Sequence, residues 1–73
     1  MDNYTAVAIA EGFEEADSEE QVLEAWQHLV DSGLAWSLQG FFGRTAIGLI
    51  AAGHINAPNG YRLNEGGRLE RIQ

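Results

Sequence analysis

The sequence predicts a small all-α protein built on a helical hairpin. Residues 18–31 repeat apolar side chains at helical spacing, and residues 33–53 form a run of 21 residues in which Arg44 is the sole charge. A helix that is apolar nearly all round must be buried on both sides. A chain of 73 residues without cysteine has neither a large core nor disulfides to stabilise it. We therefore expect copies of the chain to associate.

A short helix and an acidic linker precede the hairpin. Residues 4–11 are rich in alanine and predict one or two helical turns that end at Gly12. The next helix then begins within a group of carboxylates, which stabilise the positive end of a helix dipole. These residues are Glu14, Glu15, Asp17, Glu19 and Glu20.

The first helix of the hairpin, predicted over about residues 18–31, has clear signals at both ends. Ser18 and Gln21 stand at capping-box spacing, and Gly33 occupies the position at which a left-handed residue ends a helix. Its apolar residues fall within one arc, which predicts a buried stripe. They are Val22, Leu23, Ala25, Trp26, Leu29 and Val30.

The second helix, predicted over about residues 34–52 after a turn of two or three residues, has two apolar faces. We expect one face to pack on the first helix, with a core of Val22, Trp26, Leu29, Leu38, Phe42 and Leu49. The other face finds no second apolar helix in its own chain, and soluble monomers rarely leave such a patch exposed. The sequence therefore predicts a homo-oligomer interface, most simply in a two-fold dimer, formed by Trp36, Gly40, Gly43, Ile47 and Ile50.

The remaining residues are weakly patterned. We expect a helical domain over residues 1–55 and a C-terminal tail over residues 56–73. The tail is either irregular, flexible or ordered by a partner, or a hairpin around residues 65–67.

Charge is distributed unevenly along the chain. Residues 1–35 hold nine acidic residues and no lysine or arginine, whereas residues 36–73 hold four arginines and two acids, for a net charge of −7. An acidic surface repels phosphates, so nucleic acid is not an expected partner. Arg44 is expected to pair with an acid such as Asp31 or with carbonyl groups at a helix end. The candidate contacts with an anion or a partner are Arg44, Arg62, Arg68 and Arg71.

Nothing in the sequence predicts an enzyme, a cofactor or a metal site. The two histidines are 26 positions apart, and no nucleophile pattern surrounds the serines and threonines. Glu24, His28 and Asp31 share a helix face but predict a solvated surface rather than a metal site. The N-terminus lacks the features of a signal peptide, and Arg44 disfavours a membrane span over residues 34–52. We expect a cytoplasmic protein.

Residues 8–55 also carry a longer pattern, (D/N)(S/T)GLAWxLQGx(F/Y)GRxAxxLIxxG, which runs here from Asp31 to Gly53. This segment resembles a family of very small, mostly phage-encoded proteins to which no activity is assigned. The resemblance implies a non-enzymatic phage accessory protein, in the host cytoplasm, that binds a host macromolecule and inhibits host defence or another host system. The alternative is an oligomer that binds an anionic nucleotide. A DNA-binding helix-turn-helix or a membrane protein is less favoured.

Overall fold

In the computed structural model, which describes residues 1–38 and 40–72, the chain is mainly helical and ends in a two-stranded sheet. The described elements are α1 (Asn3–Glu11), α2 (Glu19–Ser32), α3 (Leu34–Ser37), α4 (Gly40–Ala51), β1 (Tyr61–Leu63) and β2 (Leu69–Arg71). Gln39 and Gln73, which the sequence places in the second long helix and in the tail, lie outside the described residues.

The first helix, α1, is capped at both ends. The Asp2 carboxylate accepts a hydrogen bond of 2.7 Å from the Thr5 backbone N–H, and hydrogen bonding from Thr5 lowers the pKa of Asp2. Gly12 ends the helix with a φ of 82°, and the N–H of Phe13 donates to the Ala8 carbonyl at 2.9 Å. The short helix predicted over residues 4–11 is confirmed.

Both ends of the second helix, α2, lie where the sequence signals predict. Ser18 is the N-cap, and its hydroxyl accepts a hydrogen bond of 3.2 Å from the Gln21 N–H. Gly33 has a φ of 84° and ends the helix after Ser32. Local capping chemistry therefore sets both limits of this helix.

The core lies between α2 and its neighbours, and α1 contributes more to it than the sequence predicts. Ala6 and Ile9 of α1 are buried, and His28 Nε2 forms a hydrogen bond of 2.7 Å with Asn3 Oδ1 across the two helices. The predicted core residues Trp26, Leu29 and Phe42 are buried. Three others pack around them half-buried: Val22, Leu38 and Leu49.

The prediction of one continuous helix over residues 34–52 is wrong, because the segment forms two helices. Leu38 ends α3 with an extended backbone (φ −87°, ψ −173°), and α4 begins at Gly40. Glycine costs about 1 kcal/mol relative to alanine inside a helix, so a helix end is a less costly place for it. The break also lets α3 pack against α4: a Cβ added at Gly43 would lie 3.7 Å from Cε3 of Trp36.

A side chain of α2 forms hydrogen bonds with the segment after α4. Gln27 donates from Nε2 to the Asn56 carbonyl at 3.0 Å, and its Oε1 accepts from the Asn56 N–H at 2.7 Å. The neighbouring Ile55 is buried in the core. The chain is thereby directed from the end of α4 back along α2.

The C-terminal strands form an antiparallel hairpin. Its register pairs Tyr61 with Arg71, Arg62 with Glu70 and Leu63 with Leu69. The hairpin loop closes through Asn64, whose side-chain oxygen accepts from the N–H groups of Gly66 and Arg68 at 2.9 and 3.0 Å. An isolated two-stranded ribbon is marginal in water, and here β1 lies against α4.

Replacing either partner of the Trp26 and Phe42 contact is expected to remove most of the stability. Trp26→Ala or Phe42→Ala leaves a cavity in the core and should cost about 3–5 kcal/mol, comparable to the whole stability of a domain this small. Urea unfolding followed by circular dichroism measures the change. Phe41→Ala, at the exposed neighbour, should cost clearly less. Equal unfolding midpoints for Trp26→Ala and the parent would contradict the assigned core.

The Gln27 contact gives a second prediction. Gln27→Ala removes two hydrogen bonds to Asn56 and should lower the free energy of unfolding by about 1–2 kcal/mol. In a domain of this size, each kcal/mol corresponds to a fall of about 4–8 °C in the melting temperature. Glu24→Ala on the exposed side of α2 is the control and should change little. A melting temperature equal to that of the control would show that this contact does not hold the segment.

Candidate functional site

A groove with a volume of about 1000 Å³ lies on one flank of α4. The C-terminal end of α2 and helix α3 form one side of it, and the loop before β1 together with the hairpin forms the other. The groove is therefore lined by segments that are distant in sequence and that the fold brings together beside α4.

The floor of the groove is a flank of α4 that includes two glycines. Gly40, Gly43, Arg44 and Ile47 recur at spacings of three and four residues, so they share one side of the helix. The guanidinium of Arg44 lies across Gly40, where an added Cβ would come within 3.0 Å of its Nη1. A cationic group is thus held over an otherwise apolar floor.

Two aromatic side chains form the walls. Trp36 of α3 and Tyr61 of β1 both line the groove, and each is 38% exposed. The guanidinium of Arg71 lies 5.8 Å from the centre of the Tyr61 ring. Partly exposed aromatic side chains with polar tips favour contact with a partner that is itself partly apolar.

The charged groups of the groove are two arginines and one aspartate. Arg68 enters from the hairpin, where its backbone N–H is fixed by Asn64, and Arg44 enters from α4. Asp31 at the end of α2 accepts a hydrogen bond of 3.1 Å from Gln27. The expected pairing of Arg44 with Asp31 is not formed in the described part of the chain. The groove thus carries a small net positive charge on a protein with a net charge of −7.

The structure brings together most of the residues that the sequence singles out. Trp36, Gly40, Gly43 and Ile47 all line the groove, whereas Ile50 is half-buried and packs on the core. Two of the four candidate arginines, Arg44 and Arg68, also line it. The other two lie elsewhere: Arg62 Nε pairs with Glu70 Oε1 at 2.8 Å, and Arg71 lies over Tyr61.

The sequence does not indicate the hairpin side of the groove. Tyr61, Leu69 and Pro58 line it, although they are distant in sequence from α4. The sequence signals in this region are two turn sequences. Residues 58–60 precede β1, and residues 65–67 lie between β1 and β2. They predict a hairpin but do not indicate where it packs.

The site has no arrangement for metal binding among residues 1–38 and 40–72. Of the three residues on the polar face of α2, His28 bonds to Asn3 and Asp31 bonds to Gln27. Within the same residues, no helix has both the length and the apolar character to cross a bilayer. The groove therefore presents apolar and aromatic side chains together with two arginines and one aspartate.

Comparison with known proteins places the chain in a family without adding a function. No curated protein and no solved structure matches it. The model of a domain of unknown function, DUF7417, matches residues 7–71. This match extends through the hairpin, and so includes both sides of the groove. Because it covers most of the sequence, the chain belongs to the family defined by this domain of unknown function.

Proposed function

We propose that the protein is a non-enzymatic binding protein of phage type, which holds a macromolecular partner of the host cell in the groove and associates with itself through the same face. The observation that carries the proposal is the groove itself. Four residues chosen from the sequence because they had no intrachain partner line one apolar cleft together with two arginines.

The composition of the groove favours a protein as the partner. Tryptophan, tyrosine and arginine are the residues that most often dominate the energetics of protein interfaces. Trp36, Tyr61 and Arg44 or Arg68 provide all three in one cleft. The floor adds small residues that let a bound segment approach the α4 backbone closely.

Self-association is supported by the balance of exposed and buried surface. The chain is too small to cover α4 on all sides, and Trp36, Phe41 and Tyr61 remain partly exposed after folding. Burial of this surface against a second copy adds apolar contact that one copy lacks. A dimer is the simplest assembly that provides it.

A second candidate function is binding of an anionic nucleotide. It is favoured by the volume of the groove, which matches that of small-molecule sites, and by the placement of two arginines near aromatic walls. A ligand that binds only the folded protein raises its stability by RT ln(1 + [L]/Kd). Nucleoside triphosphates that raise the melting temperature of the parent but not of Arg44→Ala would favour this function.

Partner binding is expected to fail when a carboxylate is placed in the groove. Ile47→Glu introduces an unpaired charge on the apolar floor and should reduce capture of host proteins from a bacterial lysate to background. Thr45→Glu adds the same charge on the exposed side of α4, and should capture as the parent does. Quantitative mass spectrometry of proteins retained by the three chains is the measurement. Identical recovery by both variants would contradict the groove as the binding site.

A further inference from the structure

A segment near the N-terminus of the chain is complementary to the groove in charge and in its exposed aromatic side chain. Residues 11–20 contain six acidic residues and no basic residue. We call this stretch the acidic segment. Within it, Phe13 is 84% exposed, although phenylalanine is among the residues most often buried.

The acidic segment is held in a defined conformation at its start. Gly12 adopts a left-handed φ of 82°, and the N–H groups of Phe13 and Glu14 both donate to the Ala8 carbonyl, at 2.9 and 3.1 Å. Phe13 is therefore presented by a capped helix end rather than by a mobile loop. A backbone held in this way loses little further conformational freedom when the segment binds.

The acidic segment and the groove lie at opposite ends of α2. The hydrogen bond between His28 and Asn3 places the start of α1 beside the C-terminal half of α2. The end of α1 and the acidic segment therefore lie at the N-terminal end of α2, whereas Asp31 and Gly33 border the groove at its C-terminal end. The 14 residues of α2 separate the two features by about 20 Å.

We infer that the groove is occupied by the acidic segment of a second copy of this chain, with Phe13 against the apolar floor and walls and with Glu14 and Glu15 near Arg44 and Arg68. The inference rests on the proposed function because it uses the same groove. It specifies how self-association uses the groove, because it names the segment of the second copy that enters it and the orientation of the two copies. A host partner that binds the groove displaces this segment.

The match between the two features is both apolar and electrostatic. An exposed aromatic side chain meets a cleft walled by Trp36 and Tyr61, and carboxylates meet the two arginines that line it. Apolar burial supplies most of the affinity in such a contact, and charge complementarity sets orientation and specificity.

An antiparallel arrangement lets each of the two copies fill the groove of the other at the same time. Because each copy has its groove at one end of α2 and its acidic segment at the other, two copies related by a two-fold axis insert Phe13 into each other's groove. The interface is then isologous and closed, so assembly stops at the dimer.

The test uses complementary variants of the full chain in sedimentation equilibrium. Phe13→Ala removes the inserted side chain but keeps the groove, and Ile47→Glu blocks the groove but keeps the acidic segment. Each variant alone should raise the dimer dissociation constant by about tenfold or more. An equimolar mixture retains one intact contact, and should form a heterodimer more readily than either variant forms a homodimer.

Matched controls exclude non-specific effects. Tyr4 of α1 is another exposed aromatic residue, with 83% of its surface accessible, but it lies outside the acidic segment. Tyr4→Ala should therefore dimerise as the parent does. Thr45→Glu is the control for charge on α4. Arg68→Glu, an exposed hairpin position, is a second groove variant for the case in which Ile47→Glu does not fold. Circular dichroism confirms the fold of each chain.

The outcomes separate this inference from the proposed function. If Ile47→Glu and Arg68→Glu prevent dimerisation while Phe13→Ala dimerises as the parent does, the groove is an interaction site but its occupant is not the acidic segment. If no groove variant changes either dimerisation or capture of host proteins, both proposals are wrong. A parent that is monomeric at high micromolar concentration overturns this inference and the self-association part of the proposed function. Binding of a host partner is measured separately by capture and is not affected by that result.

Discussion

The contact between Trp26 and Phe42 is the interaction on which the rest of the structure depends. The backbone of α2 lies closest to α1 and α3, and these two rings, with centroids 5.7 Å apart, bridge α2 to α4. Helix α4 in turn supports β1, and the hairpin completes the groove. In a chain of 73 residues with no disulfide, loss of one such contact affects every element that follows it.

The position of the groove follows from the orientation that the contact between Trp26 and Phe42 gives to α4. Phe42 and Ala46 face the core and are buried, which places Gly43 and Ile47 on the adjoining flank. Because the break at Leu38 lets α3 fold against α4, Trp36 reaches this flank from the same chain. The small side chains that permit this packing also leave room for a bound segment. Packing of the core and formation of the groove are therefore two results of the same helix pattern.

Features that depend on neighbouring residues could be predicted from the sequence, and features that depend on distant ones could not. Ser18 and Gly33 set the ends of α2 by local hydrogen bonds and backbone conformation, so their spacing is informative. The break at Leu38 is not marked by proline, and the apolar period continues across it, so the sequence predicts one helix. The Gln27 contact joins positions 29 residues apart, and no local pattern reveals it. The helix period leaves the residues on the α4 side of the groove without a partner in the sequence pattern, and so singles them out as a predicted interface. No such pattern indicates that Tyr61 packs beside them.

The distribution of charge limits how two copies can approach. Each copy carries a net charge of −7, and charges are screened over about 8 Å at physiological ionic strength. In a parallel pair, the two acidic segments would lie side by side at the same end of the dimer and would repel each other. In the antiparallel pair proposed above they would be separated by about 20 Å, the length of α2, while each would lie near Arg44 and Arg68 of the other copy. Arg62 is already paired with Glu70, so these two groove arginines are the cations that such an arrangement engages. Screening therefore weakens the repulsion between acidic segments more than it weakens their contact with the groove, and this favours the antiparallel orientation.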